Sequence, residues 1–144
     1  MAKFPHDYVV TASAIVDGSV DTQADGKPPL AVAPPKTFGG PGDIWSPEEL
    51  LLAALADCFI LTFRAVASSS GLAWQHISCR ATAVLDRDGS AILFTGFNLD
   101  CELKISDQAR ESDAESVLDR AKQGCFVSRA LAVEPTVHMA ITSA

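Results

Sequence analysis

Over the first third of the chain, apolar and polar residues follow one another in short stretches separated by turns. Residues 8–16 are rich in β-branched side chains, and residues 19–22 and 30–33 each come after an Asp-Gly pair. This pattern predicts three short strands. The run from Gly39 to Gly42 has the composition of a loop, so a different kind of element is expected to begin after it.

A long apolar segment follows this loop and carries the signals of a helix start. Ser46 is a favourable N-cap, Pro47 suits the first helical position, and Glu49 stands three residues after Ser46, as in a capping box. The pattern predicts a helix from Pro47 to about Ser69. Its middle is apolar nearly all round, which indicates that a sheet or a partner subunit covers most of its surface.

The second half of the chain predicts a hairpin, a helix and a last strand. Residues 77–85 alternate as a strand does, residues 86–90 are a hairpin turn, and residues 91–105 make one long strand or two. Residues 107–123 are helical in one or two pieces, and residues 133–141 are a strand. Strands, a long helix, strands, a helix and a strand make an α+β order. A length of 144 residues predicts one domain over 1–144.

Charge and hydropathy exclude some classes of function. The net charge of −7 would repel a phosphate backbone, so nucleic-acid binding is not expected. The N-terminus lacks the apolar core of a secretory signal, and the most apolar run, residues 50–63, is too short to span a bilayer. We therefore expect a cytoplasmic protein with no membrane partner.

The four cysteines of the chain are the residues most able to carry chemistry. In a reducing cytoplasm they are expected as thiols, and none forms a C-x-x-C unit. The three histidines stand apart from them, so neither a metal nor another cofactor is expected. Cys79 and Cys101 share strand faces with aliphatic residues and are interpreted as core residues.

Cys58 and Cys125 are the candidate reactive thiols. Cys58 lies within the apolar helix, where a cysteine acts either as a small core residue or as a nucleophile. Its neighbour Asp57 is expected to raise its pKa, and a mid-helix position offers no N-terminal dipole. Cys125 follows Gly124 at a predicted helix interruption. Only the tertiary fold could bring the two cysteines together.

Glu48 is a third candidate, because Glu49 already serves the capping box. One interpretation is that Glu48 only complements the helix dipole. A site role with Cys58 of the same helix is excluded by distance, since ten helical residues rise by about 15 Å. If Glu48 and a Cys58 share a site, one of them comes from another subunit or from a bent segment.

The segment GGPGDIWSPEELLLAALADCF, residues 39–59, resembles the signature of the OsmC/Ohr superfamily. In that superfamily a Gly-Gly loop precedes a Pro-Glu helix whose cysteine lies ten residues after the glutamate. Glu48 and Cys58 match this spacing, and Cys125 matches the second cysteine. The resemblance covers nearly the whole chain.

The resemblance implies an intertwined homodimer in which antiparallel sheets wrap around long central helices, with active sites at the dimer interface. It implies a peroxidase that acts on small hydrophobic hydroperoxides. Cys58 would attack the peroxide and become a sulfenic acid, Cys125 would close a disulfide with it, and Glu48 would belong to the same site. A dithiol reductant, for which a lipoylated protein is one candidate, would reopen the disulfide.

One position departs from the pattern of the peroxidases in this superfamily. They carry an arginine just before the first Asp-Gly turn, and here Val16 stands there. Lys36, Arg64 and Arg129 are the cations that could replace it. The alternative function is therefore an OsmC-like protein without peroxidase activity, acting as a binding protein or in other thiol chemistry. A third hypothesis makes Cys58 and Cys125 buried core thiols without a reaction.

Overall fold

The structure is a computed structural model that describes residues 2–144. The chain divides into two compact units, residues 1–51 and residues 52–144. Strands come first, then a long helix, a hairpin, shorter helices and a last strand. The expected α+β class is thereby confirmed, while the single domain over 1–144 stays a prediction.

The first unit contains a small antiparallel sheet. Its strands are β1 (Thr11–Ser13), β2 (Val20–Gln23) and β3 (Leu30–Val32), in that order across the sheet. The strand predicted over residues 8–16 is only three residues long, and its side chains are exposed. A 3-10 turn, Lys36–Phe38, follows β3. The Ala33 N–H donates to the Trp45 carbonyl at 2.9 Å and closes the loop that leads to the helix.

Helix α1 (Pro47–Ser70) begins where the capping box predicts. The Glu49 N–H donates to the Ser46 hydroxyl at 3.2 Å, and the Ser46 N–H donates to the Glu49 carboxylate at 3.1 Å. These reciprocal bonds satisfy two backbone donors that a helix start otherwise leaves free. The helix ends at Gly71, whose φ of 64° is favourable for glycine.

Only one stripe of α1 is buried, although its sequence is apolar nearly all round. The buried positions recur every fourth residue: Leu55, Phe59, Phe63 and Ala67. Leu61, on another side, is 57% exposed. By length and composition alone α1 is able to cross a membrane, a criterion that core helices of soluble proteins also meet. The sequence-based expectation of a covered helix is therefore not met within this chain.

The second unit is built on a sheet of three strands, β4 (Trp74–Asp88), β5 (Ala91–Ile105) and β6 (Thr136–Ser143). Strands β4 and β5 form an antiparallel hairpin that turns at residues 89–90. Between β5 and β6 lie a 3-10 turn (Gln108–Arg110), α2 (Glu111–Gly124) and α3 (Phe126–Ala130). The predicted helical region thus consists of separate pieces, with Cys125 between the last two.

Strand β6 pairs with β5 in parallel, so the second sheet is mixed rather than wholly antiparallel. The helical connection of residues 106–135 is long enough for the crossover that parallel neighbours need. Alternate residues of β5 form the centre of the core: Phe97, Leu99, Cys101, Leu103 and Ile105. The Phe63 ring meets the Trp74 ring edge-on, with centroids 5.3 Å apart, and so joins α1 to the start of β4.

Candidate functional site

Cys58 lies midway along α1 and is only half-buried. It lines an open cavity of about 540 Å³ whose walls are mostly apolar. The other lining residues are Ala54, Asp57, Leu61, Thr62, Ala65, Gly124 and Phe126. An apolar cavity of this size that exposes a thiol suits a small hydrophobic molecule.

Cys125 is fully buried next to this cavity, at the break between α2 and α3. Its backbone is extended, with φ −71° and ψ 110°, which ends α2 and lets α3 start in a new direction. Its thiol is close enough to the Cys58 thiol for each to shift the pKa of the other. The tertiary fold therefore brings together the two cysteines singled out in the sequence, and all four cysteines of the chain are free.

The surroundings of Cys58 favour its thiolate. Burial raises the pKa of the Cys58 thiol, but hydrogen bonds from the Val127 N–H, the Cys125 thiol and the Phe126 N–H more than offset this effect. The Thr62 hydroxyl adds a smaller contribution, and the pKa of Cys58 lies below its ordinary value. Val127 and Phe126 belong to the first turn of α3, where backbone N–H groups have no partner inside the helix.

This result corrects the expectation that Cys58 has no source of activation. Asp57 is exposed to solvent and is not among the influences on the pKa of Cys58. Neither Arg64 nor Arg129 is among them either. Within residues 2–144, the thiolate is favoured by backbone N–H groups and by the Cys125 and Thr62 side chains, and no cationic side chain contributes.

The pKa of the Cys125 thiol is shifted in the opposite direction to that of Cys58. Burial is the main reason that the pKa of the Cys125 thiol is raised, and the neighbouring Cys58 raises it further. Hydrogen bonds with Ser128 oppose this shift without reversing it. The pair thus contains one accessible thiol whose pKa is lowered and one buried thiol whose pKa is raised.

Thr62 and Gly124 lie where α1 meets the end of α2. The Thr62 hydroxyl donates to the Cys58 carbonyl at 2.7 Å, one helical turn back along α1. A Cβ atom on Gly124 would lie 3.2 Å from the Thr62 methyl carbon, which is tighter than ordinary van der Waals contact. Glycine before Cys125 therefore allows the end of α2 to lie against α1.

Glu48 lines a different cavity, within the first unit. This cavity has a volume of about 370 Å³, and its other walls are Val20, Val32, Ala33, Pro34, Pro35, Phe38 and Pro47. One carboxylate oxygen, Oε2, is buried there and has no hydrogen-bond partner among residues 2–144. A buried carboxylate oxygen without a partner is costly.

The Gly39-Gly40 loop shapes this cavity. A Cβ atom on Gly40 would lie 1.6 Å from the Pro34 carbonyl oxygen, so only glycine fits where the loop folds back on Pro34 and Pro35. The Gly40 N–H donates to the Pro35 carbonyl at 3.2 Å. The glycines noted in the sequence therefore hold the wall of the Glu48 cavity.

Val16 is 98% exposed in the segment between β1 and β2.

The sequence analysis missed three residues whose groups act on Cys58 directly: Thr62, Phe126 and Val127. For Phe126 and Val127, the one signal in the sequence was that they directly follow Cys125. Residues 2–144 contain no group of three or more His, Cys, Asp or Glu side chains arranged to hold a metal ion.

A family model described as OsmC-like protein matches residues 40–140, which contain Glu48, Cys58 and Cys125. The chain belongs to the OsmC-like family. An uncharacterized protein of Bacillus subtilis, YmaD, is 25% identical over 115 residues, which are 78% of this chain and 77% of YmaD. Peroxiredoxin OsmC of Escherichia coli is 29% identical over 98 residues, 68% of each chain.

Solved structures show the OsmC-like fold as well. An OsmC-like protein of unknown function from Vibrio cholerae superposes with a TM-score of 0.85 at 14% identity, covering 94% of this chain and 99% of that one. At such low identity the likeness concerns the fold alone. It confirms the fold expected from the resemblance.

Proposed function

We propose that this OsmC-like protein is a thiol-dependent peroxidase that reduces small hydrophobic hydroperoxides. The observation that carries the proposal is the pairing of Cys58, with its lowered pKa, and buried Cys125 at one apolar cavity. The name peroxiredoxin OsmC of the Escherichia coli relative points the same way.

In the proposed reaction, the Cys58 thiolate attacks one oxygen of the peroxide and the O–O bond breaks. Cys58 becomes a sulfenic acid, and the released alkoxide takes up the proton that the Cys58 thiol gave up and leaves as the alcohol. The Cys125 sulfur then attacks the Cys58 sulfur, its proton leaves with the hydroxyl as water, and a disulfide forms. A dithiol reductant returns both cysteines to thiols. The apolar walls of the cavity favour an organic hydroperoxide over a polar one.

The test is stopped-flow reaction of the reduced protein with cumene hydroperoxide. We expect wild-type thiol loss to be much faster than that of free cysteine. Cys58→Ser should abolish it, and Cys125→Ser should leave the first step but stop at the sulfenic acid, which a dimedone probe detects. Cys79→Ser is the matched control with a cysteine removed elsewhere. Wild-type thiol loss no faster than that of free cysteine would refute the proposal.

A homodimer is part of the same proposal. One side of α1, which includes Leu61, is exposed, and the Glu48 Oε2 atom has no hydrogen-bond partner within residues 2–144. Contact with another surface would satisfy both. A second copy would supply it, since an exposed apolar patch of this kind marks an interaction site. Sedimentation velocity should show a dimer that Leu61→Asp weakens. Ser116→Asp, exposed on α2 rather than on α1, should leave it intact. A monomeric wild type would contradict this part.

The second candidate is an OsmC-like protein without peroxidase activity. Exposed Val16, at the position where the peroxidases of the superfamily carry arginine, favours it. If the missing arginine is the cause, wild type should be inactive and Val16→Arg should gain a measurable peroxidase rate. An inactive wild type with an equally inactive Val16→Arg variant would show that the missing arginine is not the explanation.

A further inference from the structure

Cys79 and Cys101 face each other across the β4–β5 hairpin. They are direct partners in the antiparallel register, so both side chains lie on the same face of the sheet. Their sulfur atoms are 2.7 Å apart. The sequence had indicated two unrelated core residues, whereas the fold makes them a pair.

The geometry of this pair suits a disulfide. Directly opposed residues of antiparallel strands have Cα atoms about 4.5–5.5 Å apart, within the range of about 4.4–6.8 Å that a disulfide spans. A bond of about 2.05 Å requires the sulfurs to move together by less than about 1 Å. Two thiolates bound to one tetrahedral metal, each at about 2.3 Å, would instead be roughly 3.7 Å apart.

The two thiols differ in access. Cys101 is 3% exposed in the centre of the core, whereas Cys79 is half-buried on β4 between exposed Ser78 and Arg80. The hydrogen bond with Cys101 lowers the pKa of Cys79, and the same bond raises the pKa of Cys101. A reagent from solvent would therefore meet Cys79 first, and Cys101 would lie beside it on the neighbouring strand.

The pair is separate from the cavity of Cys58. Neither β4 nor β5 contributes a residue to the lining of that cavity. The hairpin pair and the pair of Cys58 and Cys125 therefore stand on different elements.

We propose that Cys79 and Cys101 form a second redox centre, a dithiol that undergoes exchange with low-molecular-weight disulfides. The Cys79 thiolate attacks one sulfur of the small disulfide, whose S–S bond breaks and releases one small thiolate. Cys101 gives up its proton, and its sulfur attacks the Cys79 sulfur, which releases the second small thiolate. The two cysteines are oxidised by two electrons, and the small disulfide is reduced to two thiols. This centre does not depend on the proposed peroxidase activity.

The test uses a protein in which only this pair remains. The chain has four cysteines, so Cys58→Ser combined with Cys125→Ser leaves Cys79 and Cys101 alone. The reduced double variant is incubated with oxidised glutathione and quenched with acid. We expect both protein thiols to be lost, two glutathione thiols to be released per chain, and the intact mass to fall by two hydrogens. Adding Cys101→Ser should stop the reaction at a mixed disulfide of glutathione on Cys79.

Peptide mapping of oxidised wild-type protein keeps the proposal testable if the double variant fails to fold. Trypsin places the four cysteines on four peptides, residues 37–64, 65–80, 88–104 and 123–129. A disulfide between peptides 65–80 and 88–104 is the expected product. A double variant that keeps both thiols, or that stops at the mixed disulfide, would overturn the proposal, as would wild-type protein without this link. If the proposed peroxidase fails, the disulfide that is missing would instead be the one between peptides 37–64 and 123–129, which contain Cys58 and Cys125.

Discussion

Replacing Phe126 by proline should remove one donor to the Cys58 thiolate and leave α3 in place. Phe126 is the first residue of α3, where proline is well tolerated because the N–H has no partner inside the helix. Cys125 before it is extended, as a residue preceding proline prefers. The Phe126 side chain is 76% exposed, so its loss empties no core space.

The size of the effect follows from the bond that is lost. A hydrogen bond to an ionised group contributes about 1.5–3 kcal/mol where water is excluded. Cys58 is half-exposed, and solvent screening reduces this to about 1 kcal/mol. That is roughly a fivefold smaller thiolate population below the pKa of Cys58. The remaining thiolate is slightly more nucleophilic, so we expect alkylation to slow by about two- to fivefold.

The assay is the rate of iodoacetamide reaction at Cys58 against pH, followed on the tryptic peptide of residues 37–64. In wild type the reaction should rise at a lower pH for Cys58 than for Cys125, because the pKa of Cys58 is lowered and that of Cys125 is raised. Phe126→Pro should move the Cys58 profile to higher pH.

Phe126→Ala is the matched control, since it removes the ring and keeps the N–H. It should leave the Cys58 profile where it is in wild type. If Phe126→Pro reacts like wild type, or if the alanine variant slows as much as the proline variant, the assignment of activation to the amides of α3 is wrong.

Three further predictions concern α1. Ser46→Ala should lower the free energy of unfolding by about 1 kcal/mol, measured by urea denaturation, whereas Glu49→Gln, which keeps an acceptor for the Ser46 N–H, should lower it less. Phe59→Ala should cost about 3–5 kcal/mol because Phe59 is fully buried, and Leu61→Ala in the monomer should cost far less. Thr62→Val should slow alkylation of Cys58, whereas Thr62→Ser, which keeps the hydroxyl, should react at the wild-type rate. If Thr62→Val reacts as fast as wild type, the Thr62 hydroxyl has no effect on the thiolate.

The start and end of α1 could be predicted because their determinants are local. The capping box at Ser46 and Glu49 uses atoms within three residues of each other, and Gly71 ends the helix through its own φ. The hairpin of β4 and β5 was predictable for the same reason, since the alternation and the turn at residues 89–90 lie within one continuous segment. The ten-residue spacing between Glu48 and Cys58 was likewise visible in the sequence.

The activation of Cys58 could not be predicted from its neighbours in sequence. Asp57 is adjacent along the chain but is exposed to solvent, whereas the amides of Phe126 and Val127 come from almost seventy positions away and bond to the thiolate. The parallel pairing of β6 with β5 has the same origin. Both depend on how the helical connection crosses the sheet, and no local pattern encodes that path.

The pairing of Cys79 with Cys101 marks this division most sharply. Counted back from Asp88 and Ala91 beside the turn, a regular hairpin would set Cys79 opposite Asp100. An irregularity between Val84 and Leu85 leaves Thr95 without a direct partner and shifts the register by one residue. Because side chains alternate between faces, such a shift changes which ones meet. The sequence by itself determined the hairpin, the capped helix and the four thiols, and only the tertiary structure decided which thiols lie together.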